Sequence, residues 1–264
     1  MNIIDAIVLG LVQGITAFLP ISSSGHLIVA RRLLNLNIPN TLSFDVFLNT
    51  ATLFAVIYCF WGDIKRICID FSTSGFSSRS INLIYAIVLG TIPAVLVGFL
   101  YGDKIENTFR TAEVVAYALI LGSILMFFAD FINKKFENRG GINPIKGFLI
   151  GIFQSLALIP GISRSGATIS GGLLSKLSRE EAIRFSFLLY IPVSLGALLK
   201  TILDSSDLGF SSFFSAPYIL GFIVALFSGI YAIKFMVNFL SKNSFTIFII
   251  YRIIFAILIL TLLH

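Results

Sequence analysis

The sequence predicts an all-α integral membrane protein with two inverted-topology repeats, each containing a re-entrant helical hairpin. Hydrophobic residues make up 57% of the 264 residues and charged residues only 12%, whereas a soluble domain carries about 25% charged residues. The apolar segments are continuous, which favours helices over the alternating strands of a membrane barrel. Two apolar segments are also interrupted in the same way by Pro, Ser and Gly, at 20–26 and 160–166.

About ten helical segments are predicted, and most of the long ones approach the roughly 20 apolar residues that a spanning helix needs. They lie at 3–19, 27–36, 44–61, 81–101, 113–132, 145–159, 167–175, 183–203, 217–240 and 245–263. The charged residues fall in the breaks between them, so we expect a single membrane domain over 1–264. The N-terminus lacks the basic region of a signal peptide and is expected to belong to the mature fold.

The two interrupted segments indicate an internal duplication. Residues around the first reappear around the second at a constant offset of 141 positions, as from Gly10 to Gly151. The further matching pairs are Gln13 with Gln154, Ser22 with Ser163, Ser24 with Ser165, and Gly25 with Gly166. We therefore predict repeat 1 at about 1–135 and repeat 2 at about 142–264.

The number of spans in repeat 1 sets the relative orientation of the repeats. Segments 44–61, 81–101 and 113–132 are three predicted spans, and a re-entrant hairpin adds none. An odd number inverts repeat 2 with respect to repeat 1, so the two interruptions are expected to meet near the bilayer centre. Corresponding interruptions of this kind indicate a binding site at the repeat interface.

Each interruption is rich in hydroxyl groups and precedes a predicted helix. The first supplies Ser22, Ser23, Ser24 and Gly25, and the second supplies Ser163, Ser165 and Gly166, with Thr168 two residues beyond it. The N-terminus of a helix offers unpaired backbone N–H groups and a positive dipole end, which together bind phosphate. The alternative for each turn is an ordinary capped helix start without a ligand.

Arg164 lies between two apolar segments, where an unpaired guanidinium costs several kcal/mol. No carboxylate occurs within 15 residues of it in sequence. A bound phosphate would satisfy it, because arginine holds phosphate oxygens in a bidentate manner. The alternative is a structural ion pair with a distant Asp or Glu.

Four further polar residues lie in or near the interrupted segments. His26, the only internal histidine, is a candidate general acid or base, a phosphate ligand, or a structurally satisfied polar residue. Gln13 and its counterpart Gln154 are expected to hydrogen-bond the interrupted backbone. Asp45 is expected at the N-cap or in the first turn of its helix.

At this point the motifs resemble a known family. Residues 10–26 resemble the first signature of the undecaprenyl pyrophosphate phosphatases, also called bacitracin-resistance proteins, and residues 160–172 resemble the second. The resemblance covers the whole chain. It implies a multi-pass enzyme of the bacterial inner membrane with interlocked inverted repeats. Such an enzyme removes the terminal phosphate of a C55 isoprenoid diphosphate at the outer face, which regenerates the lipid carrier for cell-wall synthesis.

The resemblance also implies roles for individual residues. Ser23 would be the nucleophile or a substrate-binding hydroxyl, His26 the acid or base, and Arg164 the clamp on the diphosphate. The remaining phosphate-binding candidates are Gln13, Ser22, Ser24, Gly25, Ser163, Ser165, Gly166 and Thr168. A divalent cation, Mg²⁺ or Ca²⁺, is implied as cofactor, with no metal ligands assigned.

One departure from the family pattern bears on activity. The family has Glu or Gln at position 13 and Glu at position 17, whereas this chain has Gln13 and Ala17. A hard cation prefers carboxylate oxygens, and the Ala17 methyl group supplies none. The chain is then an inactivated variant, a natural member with weakened catalysis, or a member in which Asp45 substitutes. Asn49 is a lesser departure, since the family often has His or Gln there.

These observations favour a lipid phosphatase, and two other functions remain open. One is a transporter or flippase of a prenyl-phosphate carrier, because inverted repeats suit alternating access. The other is a structural relic. The expected partners are the undecaprenyl diphosphate substrate, membrane lipids and a second copy of the chain in a homodimer. The net charge of +6 is scattered between apolar segments, so no nucleic-acid partner is expected.

Overall fold

The computed structural model describes residues 2–36, 41–73, 78–136, 140–204 and 215–262, and within these ranges the chain is helical with short turns. The helices are α1 (Ile3–Thr16), α2 (Ser23–Leu33), α3 (Thr41–Cys59), α4 (Trp61–Thr73), α5 (Ser78–Phe109), α6 (Ala112–Asn133), α7 (Pro144–Leu156), α8 (Arg164–Leu174), α9 (Arg179–Asp204), α10 (Ala216–Lys242) and α11 (Thr246–Leu262). The predicted all-α class is confirmed.

Four helices, α5, α6, α9 and α10, are long and apolar enough to cross a membrane. Helices α3 and α4 form a fifth candidate span that is bent by 66° at the break between them. Large apolar side chains such as Phe99 and Leu203 are mostly exposed, as expected for a surface that faces lipid. The chain is a multi-pass membrane protein.

The structure differs from the predicted segments at helix α4, which raises the number of described helices to eleven. Its sequence mixes Asp63, Lys65 and Arg66 with apolar residues, so it gives no continuous apolar run and was predicted as a polar break. Helices α2 and α8 begin earlier than predicted, at Ser23 and Arg164, because the serine-rich turns cap them. Residue 263 of the last predicted segment lies outside the described residues.

Two helical hairpins carry the interrupted segments. Helices α1 and α2 have 14 and 11 residues, and α7 and α8 have 13 and 11. Each helix is shorter than the roughly 20 residues of a full span. This geometry agrees with the predicted re-entrant hairpins.

The first helix of each hairpin packs on a helix of the other predicted repeat. Helix α1 packs on α10, and α7 packs on α5. A Cβ atom at Gly10 would lie 2.4 Å from the Gly221 carbonyl oxygen, and one at Gly151 would lie 2.3 Å from that of Gly90. Both approaches therefore need glycine, and the first helix of each hairpin is locked against a helix of the other repeat.

An aromatic core lies beneath the hairpins, where α3 packs against α9. The buried Phe18 ring makes edge contacts with Phe187 and Tyr190, with centroid distances of 5.7 and 5.9 Å. This core supports the turn that follows α1 and the middle of α9.

Candidate active site

The two serine-rich turns have the same backbone conformation. Ser22 and Ser163 are the N-caps of α2 and α8, with φ of 73° and 76°. Their hydroxyl oxygens accept hydrogen bonds from the amides of Gly25 and Gly166, at 3.4 and 3.3 Å. A positive φ at a non-glycine residue is strained and persists only where the surroundings enforce it. The same strained conformation at two residues 141 positions apart agrees with the predicted internal duplication.

The two turns contact each other directly. The Gly161 amide donates a hydrogen bond to the Ser22 hydroxyl oxygen at 3.1 Å. The Ser165 hydroxyl donates to the Leu19 carbonyl at 3.2 Å. The prediction that the two interruptions meet is confirmed by these contacts, and the N-termini of α2 and α8 lie side by side.

A buried arginine hydrogen-bonds both turns, and it was not predicted from the sequence. Arg252 of α11 has no exposed surface, and it donates to the carbonyls of Pro20 and Gly161 at 3.0 Å each. It also bonds the Leu119 carbonyl and the Ser123 hydroxyl. Among the described residues no carboxylate pairs with it. Its charge within an apolar helix was the signal that could have revealed it.

A cavity of about 280 Å³ opens between the two hairpins. Seven of the residues singled out in the sequence line it, namely Ala17, Ser22, Ser23, Ser24, Asn49, Ser163 and Arg164. Arg110 and Tyr190 also contribute to the wall. The other candidates, Gln13, Gly25, His26, Ser165, Gly166 and Thr168, are not among the described residues that line it.

Arg164 faces this cavity with its charge uncompensated. Its Nη1 donates to the Ser194 hydroxyl at 3.2 Å, and its guanidinium lies 4.4 Å from the centroid of the Tyr190 ring. In the described part of the chain no Asp or Glu forms an ion pair with it. The structural ion pair considered as an alternative is therefore not found there, and the guanidinium is available to an anion.

Asn49 and Tyr190 join the two repeats beside Arg164, and they are themselves 141 positions apart. The Tyr190 hydroxyl donates to Asn49 Oδ1 at 2.7 Å and lies 2.6 Å from Thr52 Oγ1. Gln13 Nε2 donates to the same Asn49 oxygen at 3.4 Å. Tyr190 was not predicted as a site residue, although the offset of 141 positions pairs it with Asn49.

The expected role of the two glutamines in holding the interrupted backbone was wrong. Gln13 bonds the side chain of Asn49, and Gln154 Nε2 donates to the Gly90 carbonyl of α5 at 3.5 Å. The interrupted backbone instead finds its partners in Arg252 and in the opposite turn. Phosphate binding by Gln13 stays a prediction.

His26 has both ring nitrogens engaged behind the cavity. Nδ1 donates to the Ser22 carbonyl at 2.7 Å, and Nε2 lies 2.8 Å from the Tyr251 hydroxyl. Its ring stacks on Phe255 with a centroid distance of 4.3 Å. In this arrangement His26 holds the Ser22 turn, and its acid–base role stays a prediction.

Asp45 was expected at the N-cap or in the first turn of its helix, and this prediction was wrong. Helix α3 begins at Thr41, so Asp45 lies beyond the first turn. Its carboxylate forms ion pairs with Arg31 and Arg110, the latter at 3.3 Å. The reason for its position is this pairing with two guanidinium groups and not the helix dipole.

The cavity does not fit a divalent cation held by the protein alone. Its described wall offers hydroxyl groups, the Asn49 amide and guanidinium groups, but no carboxylate. No cluster of three His, Cys, Asp or Glu that could hold a metal occurs among the described residues. Mg²⁺ and Ca²⁺ prefer carboxylate oxygens, and Asp45 is occupied by two arginines.

Comparison with known proteins identifies the family. The chain matches the family model described as Bacitracin resistance protein BacA over residues 6–258. It is 39% identical to an Undecaprenyl-diphosphatase of Thermodesulfovibrio yellowstonii, over 99% of this chain and 97% of the relative. Corresponding proteins of Moorella thermoacetica and Chloroherpeton thalassium are 38% and 39% identical, over 98% and 100% of this chain and 97% of each relative. The chain, with its paired serine turns, belongs to the BacA bacitracin-resistance family.

Proposed function

We propose that this protein hydrolyses undecaprenyl diphosphate to undecaprenyl phosphate and inorganic phosphate, and so recycles the lipid carrier for cell-wall synthesis. One structural observation supports this proposal independently of the names of the related proteins. Two serine-capped helix N-termini and the unneutralised Arg164 meet in one cavity, and these groups are the ones that hold phosphate.

The terminal phosphate of the substrate would lie between the N-termini of α2 and α8. Ser23 and Ser24 of the first turn line the cavity together with Arg164 of the second. Arg164 can offer a pair of parallel N–H donors to the phosphate oxygens, because a guanidinium carries five N–H groups. The prenyl chain would extend into the lipid.

The reaction is a phosphoryl transfer in which positioning and charge neutralisation supply most of the rate. Water, or Ser23 Oγ followed by water, attacks the terminal phosphorus. The bond from this phosphorus to the bridging oxygen breaks, and undecaprenyl phosphate leaves with the bridging oxygen. The nucleophile's proton passes to a phosphate oxygen, or to His26 if Nε2 gives up its bond with Tyr251.

The divalent cation that the family resemblance implies stays a proposal for this chain. The described wall of the cavity lacks the carboxylates that would hold it. The steps above therefore use the chain's own cation, Arg164, together with the positive ends of two helices. We likewise propose that the protein lies in the bacterial inner membrane as a homodimer, with the cavity open to the outer face.

The proposal is tested by measuring phosphate release from undecaprenyl diphosphate by the purified protein. Arg164→Ala is expected to lower kcat/KM by at least about a hundredfold, the usual effect of removing a charged donor from a reacting anion. Arg32→Ala is the matched control, because Arg32 is an exposed arginine of α2. Movement of the lipid between leaflets without phosphate release would overturn the proposal and favour a flippase.

A further inference from the structure

One face of helix α9 contacts the N-terminal part of α8. Ser186, Tyr190 and Ser194 are spaced four residues apart, which places them on the same face of a helix. Ser186 Oγ lies 2.5 Å from Thr168 Oγ1, while Tyr190 and Ser194 contact the Arg164 side chain. All three residues of α9 are buried. The orientation of Arg164 therefore depends on a polar stripe of a neighbouring helix.

The stripe orients Arg164 without neutralising it. Tyr190 offers the face of an aromatic ring, which attracts a planar guanidinium, and Ser194 accepts one hydrogen bond. Both partners are uncharged, so the positive charge stays available to a bound phosphate. A carboxylate in either place would hold the side chain equally well but would compete with the ligand.

Tyr190 is itself fixed from the other repeat. Its hydroxyl is held by Asn49 Oδ1 and Thr52 Oγ1 of α3, at 2.7 and 2.6 Å, and only 5% of the residue is exposed. The ring cannot turn away from Arg164 without breaking these contacts. Helix α3 therefore fixes the Tyr190 ring, and the ring in turn fixes the position of the Arg164 guanidinium.

We propose that Tyr190 is a positioning residue that holds Arg164 in its phosphate-binding orientation, through the ring against the guanidinium and the hydroxyl against Asn49. Tyr190 acts through Arg164 and not on the reacting atoms. This inference deepens the proposed function and rests on it for the nature of the ligand. The binding of a diphosphate group tests it independently of turnover.

The experiment measures the affinity of the detergent-solubilised protein for inorganic pyrophosphate by calorimetry. Tyr190→Leu removes the ring and is expected to weaken binding about tenfold, within the range of a desolvated cation–π contact. Tyr190→Phe keeps the ring and is expected to lose clearly less. Tyr231→Leu, at a tyrosine with 72% of its surface exposed, is the matched control and should bind as the unaltered protein does.

A double-mutant cycle separates positioning from general damage to the fold. The fall caused by Tyr190→Leu should largely disappear in an Arg164→Gln background, because glutamine carries no cation for the ring to hold. Equal losses in both backgrounds, or equal losses for Tyr190→Phe and Tyr190→Leu, would overturn the inference. If pyrophosphate binds with this coupling but undecaprenyl diphosphate is not hydrolysed, the proposed function fails and the inference stands.

Discussion

The Gly161 amide donates a hydrogen bond of 3.1 Å to the Ser22 hydroxyl oxygen and so joins the turn of one hairpin to the turn of the other. The same Ser22 oxygen also accepts from the Gly25 amide of its own helix. One hydroxyl thus caps α2 and fixes the relative position of α8. A phosphate site built from both helix N-termini depends on this contact.

Arg252→Met is expected to loosen both turns at once. The change removes the donors that satisfy the carbonyls of Pro20 and Gly161, and a buried unsatisfied polar group costs about 1–3 kcal/mol. We expect a large fall in thermal stability in detergent and the loss of phosphate release. Arg32→Met on the exposed surface of α2 is the control. Full activity of Arg252→Met would show that the turns hold themselves.

Gly122→Ala tests the same clamp without removing a charge. The added Cβ would lie 2.3 Å from Arg252 Nη2 and 2.8 Å from the Ile162 carbonyl oxygen, so the guanidinium must move. Overpacking of this kind costs about 1–3 kcal/mol. Gly196→Ala is the matched control, because nothing lies within 4 Å of its new Cβ. Melting temperatures of the two variants should differ clearly, and equal values would contradict the proposed crowding.

The interlocking of the hairpins predicts equivalent effects at Gly10 and Gly151. Alanine at either position would bring a Cβ within 2.4 Å of a backbone carbonyl oxygen of the opposing helix, which cannot yield as a side chain can. We expect each variant to lose about 2 kcal/mol or more of stability. Gly62→Ala, which meets nothing within 4 Å, should leave the melting temperature almost unchanged. An unchanged melting temperature for only one of the two variants would show that the two hairpins are not packed equivalently.

Ala17→Glu is expected to create a site for a divalent cation. Ala17 lines the cavity, whose described wall otherwise lacks carboxylates, and a glutamate there adds the oxygen ligands that Mg²⁺ and Ca²⁺ prefer. Calorimetry should detect cation binding by Ala17→Glu that Ala17→Gln lacks, and phosphate release should become more dependent on the cation. Equally tight cation binding by the unaltered protein would show that its own residues already hold the metal.

The sequence predicted most of the fold because continuous apolar segments allow little else in a membrane. The constant offset also identified both serine turns and their meeting. Helix α4 escaped prediction because its amphipathic sequence resembles a loop in a search for apolar runs. A bend of 66° now joins it to α3.

The site was predicted in part, for a physical reason. Sequence motifs show which residues are equivalent, but not which of them face the cavity. Ser23 and Arg164 line it, whereas His26 and Thr168 hydrogen-bond the backbone of lining residues, Ser22 and Arg164. Arg252 lies far from both motifs in sequence and reaches them only through the packing of α11 on α6.

The central claim is that the terminal phosphorus of undecaprenyl diphosphate is attacked between the two serine turns. The most direct test is hydrolysis in water enriched in oxygen-18, followed by mass spectrometry of both products. We expect the heavy isotope to enter the inorganic phosphate, with none in undecaprenyl phosphate, and the rate of labelling to fall by at least about a hundredfold in Arg164→Ala. Oxygen-18 in undecaprenyl phosphate would contradict attack on the terminal phosphorus. The absence of any phosphate release would contradict hydrolysis itself.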